Sequence, residues 1–547
     1  MDLLLRRASL IDGTGDPARM ADVAVTGYRI SAVGPPGELA PPSPGAEVVE
    51  LDGLALAPGF IDVHTHYDAQ VLWDPDLTPS SWHGVTSVVM GNCGFGVAPT
   101  RPEHRDTIVR TLENVEGMSM EALNAGIDWC FETFPEYLVA LARRPMRLNA
   151  GAFIGHTPLR LFVLGGEERP ATGDEVEAMR RLVHEAMDAG ALGFSTSRQP
   201  AHQGAFGRPV PSRFAETDEV YALAGVLGEL GRGVVQVSIG PGLFVDQFSE
   251  LAVAHGVPVT WTALVARADK PGAALRTVER GAALPGEVYP QIACRPIVMQ
   301  ITMTDPVPLA EIDVWKEVLA LPRQERSDLY TDTAWRDRAR PATLDAWSHR
   351  WPKTSVEETG AHADAVGIPL DRLAEARGTT PFDLMLDLAL SDGMATRYRI
   401  VLDNDGDDEI GDLLADPRTL LGLSDAGAHA SQLCDACFST HLLGHWVRER
   451  GALSLEEAVW RLTGHPHQAF RIPGRGLVQE GYFADLVAFD PERVGCTPVE
   501  RVGDQPGGAD RLVVRSTGVE HVWVNGVITR RAGEDVPDAA PGRLLRR

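Results

Sequence analysis

The segment Pro58-Gly-Phe-Ile-Asp-Val-His-Thr-His66 reads as a buried strand that leaves a Pro-Gly turn and ends in two histidines. Side chains alternate along a strand, so positions i and i+2 share a face. His64 and His66 are therefore expected to point together at one metal ion. A His-x-His word is short enough to arise by chance, so its weight depends on its surroundings.

Outward from that segment, strand-like runs recur with helical stretches between them, the pattern of a parallel β/α barrel. Inner strands are expected near 60–66, 85–92, 147–154, 191–196, 233–237, 258–263, 292–299 and 420–425. The intervening helices are credible; 173–187, for example, carries acidic residues in its first turn. The expected fold class is α/β, a (β/α)8 TIM-like barrel over 58–474. Such a barrel places its chemistry at the carboxyl ends of the strands, where His64, His66, Asn92, Cys93 and Asp425 all fall. Residues 1–57 and 475–547 read as short strands and turns, expected to form one small β-sandwich from both termini. The stretch 300–417, before the last strand, is expected as a long insertion or lid.

The composition bounds the function. A chain of 547 residues, 44% of them hydrophobic, has room for a large core and more than one domain. A net charge of −26 argues against nucleic-acid or anionic-membrane partners, which call for a basic face. No apolar run approaches a membrane span, and at the start the positive charges follow the Leu run instead of preceding it, so a cytoplasmic location is the expectation. Six cysteines in so long a chain are not a disulfide framework, and a reducing compartment keeps Cys93 available as a thiolate. Phosphate-binding glycine loops are missing, so no nucleotide cofactor is implied.

A hydrolytic metal needs about three protein ligands and an open position for water. His64, His66 and Cys93 supply a candidate set, and Asp425 in Leu421-Gly-Leu-Ser-Asp-Ala-Gly427 is the candidate base. After the third strand, His156 and Arg160 are placed to polarise a carbonyl, Arg160 as a substrate-binding candidate. Arg198, after the fourth strand, is the candidate holder of a substrate carboxylate, and His429 is a further substrate-side candidate. Cys434 and Cys437 form an isolated C-x-x-C, read as helix packing.

The words Ala57-Pro-Gly-Phe-Ile-Asp-Val-His-Thr-His66, His83-Gly-Val-Thr-Ser-Val-Val-Met-Gly-Asn-Cys-Gly94, Gly155-His-Thr-Pro-Leu-Arg160, Gly193-Phe-Ser-Thr-Ser197, Gly422-Leu-Ser-Asp-Ala-Gly427 and Ala484-Asp-Leu-Val-Ala-Phe-Asp490 occur in that order. Together they resemble the amidohydrolase superfamily, and within it the D-aminoacylase branch, over most of the chain. The resemblance implies metal-dependent hydrolysis of a linear amide, with His64, His66, Cys93 and Asp425 matching residues of the metal and catalytic centre. It also implies histidines at the ends of the fifth and sixth strands, yet Val235-Gln-Val-Ser-Ile239 and Pro258-Val-Thr-Trp-Thr-Ala-Leu264 contain none. Nor does Ala191-Leu-Gly-Phe-Ser-Thr-Ser197 hold the lysine that bridges two metals in other branches. The expectation is therefore one zinc or similar divalent ion per chain and a small, carboxylate-bearing substrate, with homo-oligomerisation left open. The alternatives are another bond on the same fold (cyclic amide, ester, lactone, carbamate or lyase chemistry) or a metal-free scaffold.

Overall fold

The computed structural model describes residues 2–430 and 435–546. Eight parallel strands form the barrel: β1 (Phe60–Asp62), β2 (Val85–Met90), β3 (Asn149–Gly155), β4 (Gly193–Ser197), β5 (Val234–Ser238), β6 (Val259–Thr262), β7 (Val288–Ile292) and β8 (Leu420–Leu421), hydrogen-bonded in that order. Beyond their ends, a parallel bridge between Thr65 and Ala426 brings the first strand to the last. Residues of β2, β3, β4, β5 and β6 are buried throughout, as expected of parallel strands covered on both faces. Helices Arg105–Glu116, Gly173–Ala189, Thr217–Leu230, Val245–His255 and Ala273–Ala282 lie between the strands in sequence. The second of these starts at a reciprocal Thr172–Glu175 capping box, which satisfies two backbone donors at its amino end.

Two expectations require correction. The seventh barrel strand is Val288–Ile292, not 292–299. Pro290, which donates nothing to a ladder, sits in register with Trp261 of β6. The more apolar Ile297–Thr302 instead pairs antiparallel with Arg397–Asp403, which also pairs with Thr354–Glu358. The insertion is correspondingly shifted. Pro296–Asp405 forms a compact unit with its own core around Trp315, Trp335, Tyr330 and Phe382, whereas Gly406–Ala430, including helix Asp407–Ala415, belongs to the larger unit.

Strands from both termini join one nine-stranded sheet, in which Leu486–Phe489 runs antiparallel to Ala55–Pro58. Pro58 thus leaves this sheet two residues before Phe60 begins the barrel. No helix among the described residues is long and apolar enough to cross a membrane.

Candidate metal centre

Regular pairing of β1 stops at Asp62, short of the expected strand end, yet the alternation continues because Thr65 still donates to the Val89 carbonyl at 3.0 Å. The rings of His64 and His66 consequently lie on one side, 5.3 Å apart. Cys93 follows β2 on a left-handed backbone (φ 56°), and its Sγ is 3.4 Å from His64 Nε2. Donor atoms of His64, His66 and Cys93 all lie within 4.8 Å of one another, the only such trio among the described residues. Asp425, after β8, completes the arrangement, with Oδ1 3.3 Å from His64 Nε2 and 3.6 Å from His66 Nε2.

The surrounding residues hold these groups in place. Gln291 Oε1 accepts from His64 Nδ1 at 2.6 Å, which leaves Nε2 for the centre. Glu116, at the end of helix Arg105–Glu116, sits 3.4 Å from His66 Nδ1 and does the same for the second imidazole. Gln236 on β5 accepts from the Cys93 backbone N–H at 2.6 Å. Ser424 donates to Asp62 at 2.6 Å and to the His64 carbonyl at 2.9 Å, tying the β8 loop to β1. Gly427 (φ 91°) lets that loop lie against His66, where a Cβ would come within 2.8 Å of the His66 backbone. Leu423, Asp425 and His429 share the left-handed region with φ between 46° and 57°. Each such residue costs of order 1–3 kcal/mol, a strain that clusters at functional sites.

The electrostatics suit a cation. Burial disfavours the Cys93 thiolate, but His64 and His66 outweigh it and bring the thiol down to about 7. For Asp425 burial is likewise overcome, by His66, His64 and His429, which hold it well below the usual carboxylate range. Burial also opposes a charged His66, yet Glu116, Asp425 and Cys93 raise its pKa well above the ordinary imidazole value. A thiol, a carboxylate and two imidazole nitrogens converging in a buried pocket match the donors of a borderline-soft divalent ion. Asp425 is the most open of the four, its side chain 28% exposed.

Other expected site residues lie elsewhere. His156 is fully buried with both ring nitrogens engaged, Nδ1 2.8 Å from Thr196 Oγ1 and Nε2 2.8 Å from Glu219 Oε1. It has no ring nitrogen left for a carbonyl. Arg160 donates to both oxygens of the same Glu219, at 2.6 and 2.5 Å, and so braces a buried ion cluster. Arg198 donates to the backbone carbonyls of Pro241 and Ala215, the work of a loop brace. His429 does join the centre, with Nε2 3.8 Å from Glu116 Oε2 and its N–H bonded to the Glu116 carbonyl. Asn92 donates to the carbonyls of Thr65 and Val89. Cys434 lies outside the described residues.

Glu116, Gln236 and Gln291 escaped the sequence reading, although each left a trace. Gln236 and Gln291 interrupt apolar strands. Glu116 falls on the buried stripe of its helix, at i+4 from Leu112 and i+8 from Ile108. Where the fifth- and sixth-strand histidines were expected, Thr262 Oγ1 donates to Ser238 Oγ at 3.3 Å. Two neutral hydroxyls occupy that place.

A His/His/Cys/Asp donor set at the carboxyl mouth of a (β/α)8 barrel defines a metal-dependent hydrolase. The Amidohydrolase family model matches residues 47–530, and the chain belongs to that family. It is 32% identical over 538 residues to a D-aminoacylase of Alcaligenes xylosoxydans xylosoxydans, covering 96% of this chain and 93% of that protein. Among solved structures it resembles a D-aminoacylase studied for its binuclear metal centre, with one-metal activation and second-metal attenuation (TM-score 0.67, 27% identity, 100% and 99% coverage). It also resembles an N-acyl-D-glutamate deacylase from Bordetella bronchiseptica, complexed with zinc and a phosphonate mimic of the tetrahedral intermediate (TM-score 0.68, 25% identity, 100% of both chains). The protein is a metal-dependent hydrolase acting on carbon–nitrogen bonds.

Proposed function

We propose that this enzyme deacylates N-acyl-D-amino acids, holding one divalent ion, zinc foremost, with His64, His66, Cys93 and Asp425. The observation that carries this reading is the convergence of His64 Nε2, His66 Nε2, Cys93 Sγ and Asp425 Oδ1. The named relatives support the substrate class. The hydroxyl pair Ser238–Thr262 supports a single ion, because it offers neither imidazole nor charge to a second. A reduced Cys93 fits the cytoplasm.

When bound, the ion held by these residues would supply Lewis acidity at the acyl carbonyl and would acidify the attacking water. Asp425 takes the proton from that water as its oxygen bonds to the acyl carbon, then passes it to the leaving nitrogen as the C–N bond breaks. Gln291 and Glu116 keep the two imidazoles facing the centre during this cycle. With His156 committed to Glu219, oxyanion stabilisation does not come from that residue.

The test is amine release from N-acetyl amino acids of both hands, by zinc-loaded and chelator-stripped protein. Cleavage of D-substrates that disappears on stripping and returns with zinc is expected. Preference for the L-series, or cleavage that survives stripping, rejects the proposal.

A further inference from the structure

Outside the metal ligands, two cysteines distant in sequence share one small cluster. Cys437 is fully buried just before helix Phe438–His441, and Cys496 is half-buried in the short strand Gly495–Cys496. Cys496 Sγ lies 3.7 Å from the Cys437 carbonyl. Thr440 Oγ1 clamps both segments, 3.1 Å from the Cys437 carbonyl and 3.2 Å from Cys496 Sγ. Leu512 and Val514 pack against Cys437. Arg295 directs a guanidinium N–H at Cys437 Sγ and pairs with Asp435 at 3.0 Å.

The setting is that of a reactive pair. The hydrogen bond from Cys437 brings the Cys496 thiol down to about 7, against the opposing effect of burial, and Arg295 helps. A half-buried cysteine whose sulfur lies 3.7 Å from the carbonyl of a second cysteine, with one threonine clamping both segments, is placed as an oxidisable thiol beside a resolving partner. Cys437, read from the sequence only as a helix-packing residue, has Cys496 beside it in the fold.

We propose that Cys437 and Cys496 are a modification site that closes reversibly to an intramolecular disulfide when the protein meets a hydroperoxide. The Cys496 thiolate attacks the O–O bond, forming its sulfenic acid and releasing hydroxide. The Cys437 sulfur then attacks the Cys496 sulfur; the S–O bond breaks, the S–S bond forms, and the Cys437 proton leaves in water. In sum, two thiols and one hydrogen peroxide give a disulfide and two waters, the peroxide being reduced and the sulfurs oxidised. A dithiol reductant reverses it. The bond ties the segment after β8 to the carboxyl-terminal part of the chain, and such a crosslink restricts the unfolded chain.

The zinc-loaded full chain should be treated with a small excess of hydrogen peroxide, alkylated, digested and mapped by mass spectrometry. Expected is a crosslinked peptide pair bearing Cys437 and Cys496, lighter by two hydrogens than its parts. It should be reversed by dithiothreitol, lost in C437S and C496S, and kept in C434S. The melting temperature should rise on oxidation in wild type and not in C496S. A Cys434–Cys437 disulfide overturns the proposal, as does alkylation of both Cys437 and Cys496 under conditions that oxidise other cysteines.

Discussion

One oxygen of Glu116 lies 3.4 Å from Nδ1 of His66, and the other lies 3.8 Å from Nε2 of His429. A single buried carboxylate from an outer helix thus holds His66, which follows β1, and His429, which follows β8. Carboxylates that accept from the far nitrogen of a metal-bound imidazole fix its tautomer and raise its basicity. Glu116→Gln should therefore weaken zinc binding by roughly 10- to 100-fold, read by competition with a chromogenic chelator, with Glu116→Asp falling between. Unchanged affinity in Glu116→Gln would reduce Glu116 to a packing residue.

Stoichiometry follows from the hydroxyls at the ends of β5 and β6. Elemental analysis after dialysis should find no more than one equivalent of zinc, lost when His64 and His66 are replaced together by Ala. Two retained equivalents would contradict the part assigned to Ser238 and Thr262.

Asp425→Asn should cut turnover by roughly 10²–10⁴-fold, the usual worth of general acid–base catalysis, while circular dichroism shows an intact fold. If kcat stays near normal with metal retained, another group moves the proton.

Replacing Arg198 by Met separates substrate binding from loop bracing. Its guanidinium is occupied by the carbonyls of Ala215 and Pro241, so the variant should melt at lower temperature. It should also treat a carboxylate substrate and its uncharged amide alike. A rise of about 10-fold in KM confined to the carboxylate substrate would restore Arg198 as its partner.

His465 supplies a pH test remote from the metal ligands. Its ring stacks on Trp460 with centroids 4.4 Å apart, and burial, aided by Arg461, lowers its pKa to about 3. An unfolded histidine titrates near 6.5. Between those values the unfolded chain takes up a proton that the folded site refuses, so stability falls as pH drops through that window. Relative to His465→Phe, wild type should lose up to about 1.4 kcal/mol per pH unit below 6.5 in denaturant melts. A constant difference between the two proteins across that range would show that His465 protonates in place.

The sequence carried the barrel and the four converging donors, because both are local properties repeated along the chain. Buried strands declare themselves by runs of apolar residues, and a parallel barrel necessarily gathers the carboxyl ends of those strands, which is why His64, His66, Cys93 and Asp425 could be placed together before any contact was known. The apolar run at 297–302 misled for the same reason: periodicity marks a strand without saying which sheet it joins.

What only the tertiary structure decided is how each buried polar group is satisfied. Gln291 reaches His64 across 227 positions of sequence, and Glu219 reaches His156 across 63. A buried donor or acceptor must find a partner somewhere. The partner's identity depends on which distant side chain the fold brings within about 3 Å, so Glu116 entered the centre unannounced while His156, Arg160 and Arg198 bond to Glu219 and to backbone carbonyls.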